Sequence, residues 1–356
     1  MTVAVTDAAT PVGDRIVRAL LTRSAAGSAI GTVVGLGGEP GNADGVHWRL
    51  VDLESPDLAV SLRGVDALIH VAASTDLATD LRMSARTRRE RAVRRIQTVV
   101  ISAAAAGVGR LVVVTSAMTY GASAANAVPL PEDAPLAADP DEGLVGDLLA
   151  VEQILAAAAE VHPGLAVTVV RPAALVGPDI DTVVTRHFEA PRLLTVRGGS
   201  PAWQFCHVDD LSTALATTVE RGLGPVVTVG SPGWLTQTEV EAISGMQEVE
   251  LSESMALGIG QRLHRVGILP FPATDLAYAV YPWAVSCTTL DAAGWHPAYD
   301  NMTCLGVLLE NIRGHHAMGA RRLEGKDAAL GAASAAVALV GTAAIIRRRR
   351  RKGAGT

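Results

Sequence analysis

A tyrosine and a lysine four positions apart on a helix stand side by side, and together they can pass a proton to or from an alcohol oxygen. None of the tyrosines in this chain has such a partner. Four positions on, Tyr120 is followed by Ala124, Tyr278 by Pro282, Tyr281 by Val285 and Tyr299 by Thr303, and no lysine precedes Lys326. Other side chains could still do chemistry. Ser116 could donate a hydrogen bond to a substrate carbonyl, or simply bond the local backbone at a strand end. His207, Asp209 and Asp210 put an imidazole and two carboxylates within four residues, but that grouping also suits a helix cap. Cys206, Cys287 and Cys304 are too few and too scattered for a disulfide framework or a zinc site. His315 and His316 have no further ligands at metal spacing, so no metal site is expected. The arginine-dense stretch Arg82–Arg95 reads either as a solvated helix face or as a site for a nucleotide or an acidic partner.

The elements that must position these residues alternate from the first residue. The chain has 356 residues, 49% of them hydrophobic, enough for one large domain or two closely joined ones. Strands are predicted at Val3–Thr6, Thr32–Leu36, His47–Val51, Ala67–Ala73, Arg110–Thr115 and Ala166–Arg171. Helices are predicted around Arg15–Leu21 and over Thr87–Ala106 and Leu144–Val161. Continuous apolar runs such as ALIHVAA suit strands buried on both faces. The alternation predicts a parallel sheet with helices on both sides. Residues 126–142 are rich in Pro, Asp and Ala and read as loop. The N-terminal MTVAVTDAAT carries no charged or apolar leader pattern, so a cytoplasmic, reduced body is expected. That body is acidic, which disfavours nucleic acid as a partner.

Seven segments, in order, carry a resemblance. They are VAVTDAATPVG at Val3–Gly13, Asp52-Leu53, LIHVAA at Leu68–Ala73, TSAMTYG at Thr115–Gly121, RPAALVGP at Arg171–Pro178, FCHVDDL at Phe205–Leu211 and GWHP at Gly294–Pro297. From residue 3 to about residue 312 the chain resembles the extended short-chain dehydrogenase/reductases, the NAD-dependent epimerase/dehydratase family. The resemblance implies a Rossmann-like doubly wound parallel sheet over residues 1–178. A smaller mixed α/β lobe, residues 179–313, would be interleaved with it. It implies NAD or NADP as cofactor and a nucleotide or nucleotide sugar as ligand. It places cofactor contacts at Thr6, Gly13, Asp52, Leu53, Ala72, Ala73, Arg171 and Pro172, and a catalytic remnant at Ser116.

The family pattern is broken in several places. Its turn glycines fall at positions 7, 10 and 13, where this chain has Asp7, Thr10 and Gly13. Glycine there allows close approach of the pyrophosphate; Asp7 brings a carboxylate instead. Pro11 removes one of the helix N-terminal N–H groups that hold an anion. Gly37 stands where an acidic ribose reader is expected. Leu144 or Val145 takes the family tyrosine position and Leu148 or Leu149 the lysine position, with Glu152 matching the family glutamate. No asparagine occurs over residues 82–100, and Trp203 replaces an arginine that relatives use for a substrate diphosphate. Dinucleotide binding is therefore expected to be weak or absent. Two readings stay open. One is a non-catalytic nucleotide- or partner-binding protein, which the losses favour. The alternative is an oxidoreductase or epimerase acting on a nucleotide sugar or related alcohol with non-standard catalytic residues.

Beyond a linker at residues 314–327, the stretch Ala328–Ile346 carries no charge and precedes RRRRRK. As a helix it would span roughly 28 Å, close to a bilayer core of about 30 Å. An apolar helix with a basic tail, anchoring the body to an anionic membrane, is expected over residues 328–356; the alternative is a soluble Ala-rich helix and a soluble cytoplasmic protein.

Overall fold

The computed structural model describes residues 1–189, 192–252, 255, 258 and 273–319. The first half alternates as β1 (Thr2–Thr6), α1 (Pro11–Ala25), β2 (Thr32–Gly37), β3 (Val46–Leu50), α2 (Leu58–Ser61), β4 (Ala67–Val71), α3 (Leu77–Asp80), α4 (Ala85–Ala106), β5 (Arg110–Val114), α5 (Leu144–Val161) and β6 (Ala166–Pro172). Then come β7 (Ala174–Val176), α6 (Val183–Glu189), β8 (Leu193–Val196), β9 (Phe205–His207), α7 (Val208–Arg221), β10 (Val226–Val229), α8 (Gln237–Ser244) and β11 (Glu248–Leu251). Seven strands form one parallel sheet in the order β10-β6-β5-β4-β1-β2-β3. The strand order reverses between β1 and β4. In such sheets the crevice outside the carboxyl ends of the strands at that point takes the ligand.

The two faces of the sheet follow from strand alternation. On β1, Val3 and Val5 point to one side, where Ile16 and Leu20 of α1 meet Leu211 and Leu215 of α7. Ala4 points to the other side, toward Ile96 and Val99 of α4 and Leu155 of α5. A third cluster, with Phe188, Trp203, Phe205, Trp283 and Leu305, forms the core of the smaller mixed region. There β8 pairs with β11 and β7 with β9. No helix or strand runs between Tyr120 and Leu144; the segment is held by Leu130, which bridges to Val285.

His207, Asp209 and Asp210 join these regions. The His207 side chain caps α7, accepting from the Asp209 N–H at 3.2 Å. Asp210 accepts the N–H groups of Ala298 and Tyr299 at 2.8 and 3.1 Å, and Asp209 pairs with Arg15 of α1 at 2.5 Å. These groups are committed to structure, and no metal-ligating cluster is found among the described residues.

The expected membrane anchor is corrected. Among the described residues no helix is long and apolar enough to cross a membrane. The last described helix is Asn301–Gly319, and residues 328–346 lie outside the described residues. That stretch is dominated by alanine, with few of the Leu, Ile and Val side chains that drive insertion. The transmembrane helix, the anionic-membrane partner and the membrane-anchored location are withdrawn.

Candidate functional site

A cleft of about 400 Å³ opens at the carboxyl ends of β1, β4, β5 and β6. Its floor includes Thr6, His70, Ala72, Ala73 and Ser116. The α4 wall presents Arg88, Arg91 and Arg95, and the α5 wall presents Leu144, Val145, Asp147, Leu148 and Val151. Pro172, Ala174, Val184 and Trp283 close the side toward the smaller lobe.

The turn between β1 and α1 is built around Asp7, whose φ of 48° is in the left-handed region that glycine tolerates best. Its carbonyl accepts from the Thr10 N–H at 3.0 Å and from the Thr10 hydroxyl at 2.7 Å. Gly13 packs against that carbonyl so closely that an added Cβ would lie 2.2 Å from it. Its N–H donates to Thr10 Oγ1 at 3.2 Å. Pro11 has no N–H to offer, so the first helical turn keeps few free donors for an anion. The Asp7 carboxylate does not project alone into the cleft, because Arg95 Nη1 donates to its Oδ2 at 2.8 Å.

Asp147 is the ionisable side chain that α5 brings to the cleft. Arg88 Nε and Arg89 Nε reach its two oxygens at 2.5 and 2.8 Å. Burial nevertheless pushes its carboxyl above the usual range, against the pull of both guanidinium groups. On the floor, His70 Nδ1 and the Thr6 hydroxyl lie 2.8 Å apart. Burial, with Arg95 nearby, pushes the imidazole down to about 3, so it is neutral.

The tyrosines near the cleft are occupied. Tyr120 donates its hydroxyl to the Glu132 carbonyl at 2.6 Å and accepts from Arg171 Nη1 at 2.9 Å. Tyr278 donates to the Met118 carbonyl at 2.7 Å. Burial raises both phenols above their ordinary range.

The residues singled out from sequence separate into two groups. Thr6, Ala72, Ala73, Ser116 and Pro172 come together on the cleft. Ala72 and Ala73 spend their N–H groups on the Val114 carbonyl, at 2.9 and 3.1 Å. Ser116 Oγ accepts from the Met118 N–H at 3.2 Å, which leaves its own O–H to donate. Gly13, Asp52, Leu53 and Arg171 do not line the cleft. Asp52 accepts the Glu54 N–H at 2.9 Å and Leu53 is core. Arg171 is locked to Glu152 at 2.6 Å, and Thr115 and Thr119 add hydroxyl bonds to the same carboxylate. Trp203, buried against Phe188, Phe205 and His187, belongs to the lobe core. Sequence reasoning missed Asp147 and His70, and it gave Arg95 only as part of the arginine stretch. Within that stretch, positions 88, 91 and 95 recur on one helical face, and this face lines the cleft.

The model of the NAD dependent epimerase/dehydratase family matches residues 3–230. The chain belongs to this family. Uncharacterized proteins of Mycobacterium bovis and Mycobacterium tuberculosis are 27% identical over 186 residues, covering 52% of this chain and 49% of theirs. The chain thus spans about half the length of these curated relatives. Among solved structures, the dTDP-glucose 4,6-dehydratase DesIV of Streptomyces venezuelae, with NAD bound, has a TM-score of 0.64 at 20% identity, covering 89% of this chain and 97% of that one. The UDP-glucose 4-epimerase of Thermotoga maritima, with UDP-glucose, has a TM-score of 0.64 at 17% identity, covering 89% and 100%. At these identities the likeness shows the fold.

One buried group near the α4–α5 junction gives a pH prediction. Asp275 is 3% exposed, its Oδ2 has no hydrogen-bond partner among the described residues, and burial pushes its carboxyl to about 7. An unfolded aspartate loses its proton near pH 4, at about 3.9. Between those values the folded state holds a proton that the unfolded state releases, so stability falls as pH rises through the window. Asp275→Asn should therefore stabilise the protein above pH 7, with the gain vanishing near pH 4. Denaturant unfolding at both pH values measures this, and an equal effect at both would contradict it.

Proposed function

We propose that the cleft binds a nicotinamide dinucleotide and that the protein is an oxidoreductase or epimerase acting on a nucleotide sugar or related alcohol. Its catalytic residues are non-standard, and its dinucleotide binding is weak. Family membership and the placement of Ser116 with Thr6, Ala72, Ala73 and Pro172 on one cleft support this reading. The observation that carries it is the Ser116 O–H, free to donate, on the same cleft as a buried carboxyl, Asp147 of α5. The hydroxyl would orient a substrate oxygen. A carboxyl raised by burial moves toward the pKa range that proton transfer at neutral pH requires. The dinucleotide would supply hydride chemistry, with Thr6, Ala72, Ala73 and Pro172 as its contacts.

A second reading has its own support. The helix α5 turns Leu144, Val145, Leu148 and Val151 to the cleft, and aliphatic side chains transfer no proton. On that reading the cleft binds a nucleotide without turning it over. Incubation of the full chain with NAD and UDP- or dTDP-glucose, followed by the absorbance of reduced nicotinamide and by product analysis, separates the two. The first reading expects slow turnover that survives Tyr120→Phe and is lost in Ser116→Ala. Dinucleotide binding without turnover of any nucleotide sugar would leave the second.

A further inference from the structure

The phosphates of a nucleotide need donors, and the turn that usually provides them is largely spent. Pro11 has none, the Gly13 N–H is taken by Thr10, and Asp7 carries a negative charge at the same place. Across the cleft, Arg88, Arg91 and Arg95 are spaced so that one face of α4 is basic. Arg88 is fixed by Asp147 and the Glu142 carbonyl, and Arg91 reaches Glu54 at 2.9 Å. Arg95 differs from both. Its Nη1 holds Asp7, while its Nε is buried with no hydrogen-bond partner among the described residues. The acidic Asp76 and Asp80 face the cleft from the α3 side, which leaves the α4 side for an anion.

We infer that Arg95 on α4 is the diphosphate-binding residue of this cleft, taking over from the eroded turn, and that Asp7 competes with the ligand for its guanidinium. The ligand class is a nucleoside diphosphate or a dinucleotide bearing the same group. Arginine suits the role because its planar fork donates two parallel hydrogen bonds to phosphate oxygens. Asp7 positions the fork and holds one of its ends. This inference rests on the nucleotide-binding reading, and it adds the residue that makes such binding workable despite Asp7 and Pro11.

The test is calorimetric titration of the full chain with ADP and, separately, with adenosine, which lacks the phosphates. Arg95→Ala should weaken ADP at least tenfold and leave adenosine unchanged, and Arg95→Lys should fall between. Asp7→Gly should tighten ADP by several-fold, because it frees the fork and relaxes the left-handed turn. That gain should disappear in the Asp7→Gly, Arg95→Ala double variant, in which no carboxylate is left unpaired and folding is not at risk from one. ADP affinity unchanged by Arg95→Ala in a chain that does bind ADP would overturn the inference and leave the nucleotide reading standing. A wild-type chain that binds neither ADP nor adenosine would overturn both.

Discussion

Arg171→Ala is expected to destabilise the protein by about 3–5 kcal/mol, the usual loss when one partner of a buried ion pair is removed. The pair is deep: the side chains of Arg171 and Glu152 are 8% and 3% exposed. Glu152 would keep the hydroxyl bonds of Thr115 and Thr119 but would lose its counter-charge. Tyr120 would lose the guanidinium that donates to its hydroxyl and sits over its ring at 4.7 Å. The damage would spread to β5, β6 and α5 together, since the network joins them. Glu152→Gln should cost less, because a neutral amide leaves less charge uncompensated on that side. The exposed pair Arg18–Asp14 provides the contrast, and its removal should change nothing measurable. Equilibrium denaturation with a fixed slope reads the difference directly. A loss of under about 1 kcal/mol for Arg171→Ala, the size of a surface pair, would contradict a structural role for the network.

The second large effect concerns chemistry. Leu144 and Leu148 lie four residues apart on α5, and both line the cleft, whereas Leu149 does not. The geometry therefore selects this pair as the place for a tyrosine and lysine. Leu144→Tyr with Leu148→Lys should raise the rate of nicotinamide reduction by about 100-fold or more, the lower end of what a positioned acid/base contributes. The lysine cation would lower the phenol pKa beside it. Tyr120 and Tyr278 cannot substitute for it, because each hydroxyl already donates to a backbone carbonyl. The double variant and the wild type are compared with NAD and the same nucleotide sugar. An unchanged rate would mean that the α5 face is not where proton transfer is lacking.

Much of the fold was legible because buried parallel strands leave a strong trace. ALIHVAA, RLVVVT and AVTVVR are dominated by apolar and β-branched residues, and they became β4, β5 and β6 at the centre of the sheet. The helix over Leu144–Val161 was equally plain. The segment motifs brought Thr6, Ala72, Ala73, Ser116 and Pro172 to one place. Arg171 and Leu53 turn away from the cleft, Arg171 to Glu152 and Leu53 into the core; a motif fixes a position along the chain, not the side to which the fold turns that residue. Long-range charge pairing was invisible for a different reason. Asp7 and Arg95 are 88 residues apart, and only the packing of α4 against the β1 turn brings them together. Asp7 read alone suggested repulsion of phosphate. Paired with Arg95 it is a regulator of a cation.

Titration of the full chain with NAD and NADP by calorimetry tests the nucleotide reading most directly. A saturable one-site isotherm is expected, with a dissociation constant weaker than about 1 μM, or less than about 8 kcal/mol of binding free energy. Saturation should move to lower ligand concentration in Asp7→Gly. No saturable heat with either dinucleotide at about 1 mM, where binding contributes only about 4 kcal/mol, would contradict a nucleotide cleft.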